Sequence, residues 1–254
     1  MDFFENFVFF SFIIMRMAGF VLLNPIFGRK NIPGIIKSGL ILALAMIVFT
    51  AQPQQQMVLS GMFEYGVLLI KEFAAGGAVG FVISLFLYVI IFAGEMIDMQ
   101  LGLSMAKIFD VQSNASIALS ATYYNILFMF LFFAVDGHLA LLHIVLNSAQ
   151  VVPYGQVVLG QALAQSILDI FILCTGLALK MAFPVIAIEF LCAVGMGILM
   201  RAIPQINVFI VDIQLKIFVG LVVMLLIFSP IADFLNTLVL TMIDTVRETL
   251  IYMH

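Results

Sequence analysis

Charged side chains are scarce in this chain. They make up 9% of its 254 residues, while 65% of the residues are hydrophobic. Soluble domains carry roughly 25% charged residues, and the mean hydropathy here is +1.25. The composition therefore predicts an integral membrane protein. The few cations form no run that could bind a phosphate backbone, so no nucleic-acid partner is expected.

Residue types that support catalysis or metal binding are also few. Cys174 and Cys192, the only two cysteines, lie in apolar segments, so a disulfide framework is not indicated. His138 and His143 do not share a helix face, and no cysteine or carboxylate completes a metal set around them. The sequence has no nucleophile constellation and no Gly-rich phosphate loop. We expect no enzymatic activity, no cofactor and no metal.

Long apolar runs dominate the rest of the chain and predict an all-α protein with about six spanning segments, broken in places. The runs are residues 3–27, 35–51, 73–93, 117–135, 157–179, 182–200 and 217–240. Breaks are expected at Lys71-Glu72 and between Lys180 and Pro184. The first run lacks a preceding cationic stretch, so it is interpreted as a retained helix and not as a cleaved leader. We treat residues 1–254 as a single domain.

Two features of the first half give sharper expectations. Arg16 interrupts the first apolar run, and a cation there should face protein, water or a helix partner. Arg29, Lys30 and Lys37 follow that run, which makes their connection the best candidate for a cytoplasmic loop. Further along, Gly76, Gly77 and Gly80 recur at spacings that predict a helix–helix contact face.

The chain is organised around residues 80–110, where an apolar run gives way to polar residues. Gly94, Asp98, Gly102 and Ala106 recur every four residues, so on a helix they form one small-residue stripe with a single carboxylate. Such a stripe allows another backbone to approach closely. We predict that it makes a subunit or helix contact, together with its neighbours Glu95 and Gln100.

The pattern AGE-x-ID-x-Q-x-GLSMA-x-x-FD at residues 93–110 resembles the signature of the FliR/SctT family of type III export-gate components. Other likenesses are Asn24-Pro25-x-Phe27-Gly28, Asp136-Gly137-His138 and the segment from Arg201 to Phe209. Two positions depart from the family pattern. Val111 stands where proline is usual, and Asp136 stands where asparagine is frequent.

This resemblance implies a non-enzymatic part of the flagellar export gate in the bacterial inner membrane, at the flagellar basal body. FliP and FliQ would be its channel partners, FlhB would associate at the cytoplasmic end, and exported flagellar proteins and membrane lipid would also contact it. The segment after the GLSMA motif would help plug the pore. Its residues are Leu103, Ser104, Met105, Ala106, Lys107, Ile108, Phe109, Asp110, Gln112, Ser113 and Asn114. A second contact group would comprise Arg201, Pro204, Gln205 and Asn207.

Two other classes of function stay open at this stage. A secondary transporter could couple a small solute to protons through Glu95, Asp98, Asp169 and Glu189. Transporters of that kind often show paired halves with corresponding broken helices, and this sequence has no such internal symmetry. The third class is a purely structural membrane scaffold.

Overall fold

A computed structural model describes residues 2–51, 61–104, 118–202 and 208–253. Within these ranges the chain is helical and contains no strand, which confirms the predicted all-α class. The helices are α1 (Asp2–Leu23), α2 (Gly34–Ala51), α3 (Met62–Gln100), α4 (Leu119–Ala134), α5 (Gly137–Leu146), α6 (Ser148–Val151), α7 (Gln161–Ala202), α8 (Val208–Leu226) and α9 (Phe228–Ile251).

Four of these helices are long and apolar enough to cross a bilayer: α1, α2, α3 and α7. The pair α4 and α5, and the pair formed by α8 and α9, reach that standard only when each is counted as one bent span. The described residues thus hold four to six candidate spans, in agreement with the predicted number. The protein is an all-helical membrane protein.

Two predicted breaks are absent. Helix α3 continues through Lys71 and Glu72 for 39 residues, and α7 continues through Pro184 for 42 residues. The Glu72 carboxylate is buried in an ion pair, so it does not need to meet water at a helix end. A proline removes one backbone donor, and long membrane helices tolerate that loss. At about 1.5 Å per residue, α3 extends about 58 Å, well beyond a hydrocarbon core of about 30 Å.

The first of two compact units comprises residues 1–86, 136–172 and 240–254. Its core includes Phe12, Ile13 and Met17 of α1, all fully buried. Glycines let α1 and α3 approach closely. A Cβ at Gly76 would overlap the Arg16 carbonyl oxygen, and a Cβ at Gly80 would lie 2.8 Å from the Leu23 carbonyl carbon. The predicted glycine contact face is confirmed.

The second unit comprises residues 87–135 and 173–239. Its buried apolar residues include Ile90 and Ile97 from α3, Phe128 and Phe132 from α4, and Leu235 from α9, each fully buried. The rings of Phe128 and Phe132 stack with centroids 6.4 Å apart. This unit holds both described ends of the segment that the family resemblance assigns to the pore plug.

Candidate functional site

The first part of the site is a set of hydrogen bonds around Asp98, which is fully buried near the end of α3. Asp98 Oδ2 accepts a hydrogen bond from the Leu119 amide at 2.5 Å, and Oδ1 accepts one from the Ser120 amide at 3.1 Å. Ser120 Oγ donates to the same Oδ1 at 2.5 Å. The first turn of a helix has backbone donors without intrahelical partners, and Asp98 satisfies two of them in α4. A carboxylate there also complements the positive end of the helix dipole.

Close backbone packing reinforces these hydrogen bonds. A Cβ at Gly94 would lie 2.6 Å from the Ala121 Cβ and would overlap the Ala121 backbone. The fully buried Leu101 packs against Gly220 of α8, where a Cβ would overlap the Leu101 Cδ2 methyl group. We call Gly94, Asp98, Leu101, Ser120 and Ala121 the stem. The stem holds the end of α3 against the start of α4, on either side of residues 105–117.

Gly102 lies beyond the end of α3 and so is not part of a helical stripe. Helix α3 ends at Gln100, and Gly102 follows it with φ of +76° and open space around a built Cβ. A left-handed glycine directly after a helix is a common terminator, because a side chain is disfavoured there. The small-residue stripe on α3 therefore consists of Gly94 and Asp98. Whether Gly102 contacts another subunit stays a prediction.

The predicted plug residues fall into two groups, one inside and one outside the described part of the chain. Leu103 and Ser104 are described and half-buried. Met105, Ala106, Lys107, Ile108, Phe109, Asp110, Gln112, Ser113 and Asn114 lie outside the described residues. At the stem, a cavity of about 440 Å³ is lined by Leu103, Leu119, Ser120, Tyr123, Leu221, Met224 and Leu225. The base of the predicted plug is thus apolar on the side that the structure describes.

The other predicted contact residues are spread out. Glu95 is exposed and Gln100 is half-buried. Arg201 is exposed in the last turn of α7. Pro204, Gln205 and Asn207 lie outside the described ranges. Their assignment to subunit contacts stays a prediction.

The second part of the site is an ion pair in the first unit that links α1 to α3. Arg16 Nε donates to Glu72 Oε2 at 2.6 Å, and both side chains are almost completely buried. Arg16 Nη1 donates to the Val152 carbonyl at 2.8 Å and to Ser148 Oγ at 3.3 Å. The expectation that Arg16 faces protein or a helix partner is confirmed.

The same two charges hold an irregular segment in place after α6. Glu72 Oε1 accepts a hydrogen bond from the Gly155 amide at 2.7 Å. The Arg16 guanidinium carbon lies 4.1 Å from the centroid of the Tyr154 ring, in cation–π geometry. Burial raises the pKa of Tyr154 to about 12, although the positive charge of Arg16 acts in the opposite direction. The network fixes the chain between α6 and α7 against two long helices.

Sequence reasoning missed Glu72 and Ser120. It interpreted Lys71-Glu72 as a break between helices, although an isolated Arg16 in the first run called for a buried acid elsewhere. Ser120 gave no signal, since its partner Asp98 lies 22 positions earlier in the sequence. Both pairs arise only when distant parts of the chain pack together.

The carboxylates considered for a proton-coupled transporter have separate environments. Asp98 is occupied in the stem, and Glu95 is exposed. Asp169 Oδ1 accepts a hydrogen bond from Gln165 Nε2 at 3.3 Å within the first turns of α7. Glu189 is buried, and its carboxylate oxygens have no hydrogen-bond partner in the part of the chain described. Among the described residues no group of three His, Cys, Asp or Glu side chains could hold a metal ion.

Comparison with known proteins gives a consistent assignment. The profile of the family described as "Bacterial export proteins, family 1" matches residues 7–242. The chain is 28% identical to the flagellar biosynthetic protein FliR of Bacillus subtilis over 249 residues, which are 95% of this chain and 94% of the relative. It is 26% identical to FliR of Escherichia coli over 87% of this chain and 84% of the relative. FliR of Aquifex aeolicus is 24% identical over 83% and 81% of the two chains. This helical membrane protein therefore belongs to the bacterial export proteins of family 1.

Proposed function

We propose that this chain is a non-enzymatic component of the flagellar type III protein export gate. It would form, with FliP-type and FliQ-type chains, the channel through which flagellar subunits cross the inner membrane at the flagellar basal body. The observation that carries the proposal is the family match over residues 7–242, together with relatives named flagellar biosynthetic protein FliR that align over most of both chains. An FlhB-type protein would associate at the cytoplasmic end.

Residues 103–118 would help plug the closed pore, with Met105, Ile108 and Phe109 as its apolar contacts. The stem supports this role, because Asp98 links α3 to the first turn of α4 and so fixes the distance between the two ends of the segment. A segment with both ends fixed would stay in the pore while the pore is closed. Methionine is unbranched and soft, so such a seal could yield to a passing chain.

The polar residues after α7 would contact neighbouring subunits. Arg201 is exposed in the last turn of α7, where helix carbonyls lack intrahelical partners and favour nearby cations. Gln205 and Asn207 follow a proline in the sequence and could satisfy polar groups of another chain.

Deletion of residues 104–116 tests the plug. The variant should still assemble with its partner chains, since the stem is intact, but the membrane should leak small ions. A second variant replaces the same residues with a Gly/Ser linker of equal length, which preserves the spacing and removes the apolar contacts. It should leak as well. Ion flux into proteoliposomes that contain the assembled complex measures both variants against the unaltered complex.

Complexes that assemble and stay as tight as the unaltered protein would contradict the plug assignment and place the seal on another chain. A leak from the deletion variant alone would show that length, and not apolar contact, closes the pore. Export of flagellar subunits, measured in the same strains, reports separately on the function of the gate.

A further inference from the structure

Glu189 is a buried carboxylate whose oxygens lack a hydrogen-bond donor in the part of the chain described. It lies on the face of α7 that also buries Ala182, Val185 and Met196. A charged carboxylate out of water is costly unless a cation or a hydrogen-bond donor compensates it. Glu189 therefore needs a partner that the single chain, in this arrangement of its described residues, does not supply.

Two charged groups of α8 lie close enough to Glu189 for their charges to act on it: the ammonium of Lys216 and the carboxylate of Asp212. These two form an ion pair with each other, in which Lys216 Nζ lies 2.9 Å from Asp212 Oδ2. The Cys192 thiol is a further titratable neighbour of both acids, and a thiol is uncharged at neutral pH. All four residues belong to the second unit. Among the described residues, one lysine thus serves two acids, and the cluster is one positive charge short.

The two members of the ion pair are open to a neighbouring molecule, whereas Glu189 is not. The Asp212 and Lys216 side chains are each 24% exposed, and Glu189 is fully buried. Beside the pair on α8, Val211 and Phe218 are 37% and 68% exposed. When another protein covers such a surface, the ion pair loses its water and the match of charges across the interface becomes important. A cation that arrives from outside would therefore meet Asp212 first.

We infer that this face of α8 receives a lysine or arginine of a neighbouring chain, which pairs with Asp212 and releases Lys216 to Glu189. Each acid would then have its own cation, and no charge would stay buried without a partner. Lysine suits the exchange, because its ammonium lies at the end of a flexible four-carbon stem. A partly exposed ion pair within one helix contributes little stability, so giving it up costs less than a desolvated pair at an interface contributes. The inference rests on the proposed function, because it requires a neighbouring chain of the export assembly.

Recovery of the assembled complex tests the docking step. The tagged full chain is co-expressed with the FliP-type and FliQ-type chains, and mass spectrometry quantifies these partner chains against the tagged chain after purification. Loss of one member of a desolvated charge pair weakens association by at least about thirtyfold. Asp212→Asn should therefore lower the recovery of the partner chains at least about tenfold. Asp233→Asn, at an exposed acid of the same unit, is the matched control and should leave recovery unchanged.

Carbodiimide cross-linking tests the exchange of Lys216 between the two acids. Dicyclohexylcarbodiimide joins a carboxylate to an amine in direct contact, with loss of water, and tandem mass spectrometry identifies the joined residues. The isolated chain should give a link between Lys216 and Asp212. The assembled complex should instead give a link between Lys216 and Glu189. Glu189→Gln should abolish the second link and leave the first one in the isolated chain.

A complex in which Lys216 stays linked to Asp212 would overturn the inference, and so would equal recovery of partner chains with Asp212→Asn and Asp233→Asn. Thermal unfolding of the tagged chain alone should give the same midpoint for these two variants. A lower midpoint for Asp212→Asn would assign Asp212 to the fold of the single chain and overturn its docking role. An unaltered chain that recovers no partner chain would contradict the proposed function too, whereas the other contrary results leave that function standing.

Discussion

Arg16 and Glu72 show how single charged residues are accommodated inside a nearly uncharged protein. The pair is buried, and both residues also form hydrogen bonds with the irregular segment around Val152 and Gly155. A buried pair adds little net stability by itself, but removal of one partner leaves an uncompensated charge. Substitution of either residue alone should therefore destabilise the first unit.

Glu72→Gln should lower the free energy of unfolding by about 3–5 kcal/mol, because the Arg16 guanidinium would stay buried without a counter-charge. Thermal unfolding of the purified protein in detergent measures the loss. Lys71→Gln, at the adjacent half-exposed position, is the control and should change stability little. Arg16→Met combined with Glu72→Leu should recover part of the loss. Equal unfolding temperatures for Glu72→Gln and Lys71→Gln would show that the pair does not hold the unit together.

Tyr154 gives this network a dependence on pH. Its pKa is raised by burial to about 12 in the folded protein, against about 10 in an unfolded chain. Between these pH values the phenol is deprotonated in the unfolded chain but still protonated in the folded protein. The contribution of Tyr154 to the free energy of unfolding is therefore fully present below about pH 10 and is lost as the pH rises towards about 12. Tyr154→Phe should lack this contribution. The free energy of unfolding, measured against pH from about 10 to 12 in both proteins, isolates this contribution. The same pH dependence in the unaltered protein and in Tyr154→Phe would contradict the buried position of the phenol.

At the scale of elements, the helix ends near the stem depend on contacts from elsewhere in the chain. The residue before α4, Ala118, supplies no side-chain cap, and Asp98 of α3 satisfies the first amides instead.

An exposed Asp136 with φ of 56° separates α4 from α5. Asparagine, frequent at this position in the resembling family, also tolerates that left-handed conformation. Aspartate at this position therefore suits the same backbone conformation as the asparagine of the family pattern.

Asp98→Ala should destabilise the start of α4 by about 1–3 kcal/mol, because the buried Ser120 amide would be left without an acceptor and the partly buried Leu119 amide would also lose its bond. Asp98→Asn should cost less, since one side-chain oxygen remains. Hydrogen exchange of the amides at residues 119 and 120 reports the effect directly. Glu95→Ala, an exposed carboxylate one turn earlier on α3, should leave that exchange unchanged. The same exchange rates in Asp98→Ala and Glu95→Ala would show that Asp98 does not cap the helix.

The helices themselves were predictable from apolar runs, and their lengths were not. Glycine spacing predicted the contact of α3 with α1, since close approach depends on side-chain size alone. The expected breaks at Glu72 and Pro184 were wrong, because a charge or a proline ends a helix only where its surroundings leave it unsatisfied. Those surroundings come from residues far away in sequence. For the same reason the sequence predicted that Arg16 needs a partner but did not identify Glu72.

At the scale of the whole molecule, composition predicted membrane insertion and motif spacing predicted the family, and both are confirmed. The central claim is that this family member works as one subunit of an export gate. Large apolar side chains along α7 and α8 support this view, since many of them, such as Phe171, Phe190 and Phe218, are exposed on the single chain. A helix that also exposes Asp169 and Lys180 is better suited to a protein neighbour than to lipid.

Purification of a tagged chain co-expressed with the FliP-type and FliQ-type chains of the same bacterium tests this claim most directly. The three chains should elute from size-exclusion chromatography in detergent as one complex that persists at high salt, because apolar contacts are not screened by ions. A tagged chain that elutes alone, while the other two chains assemble without it, would contradict the account.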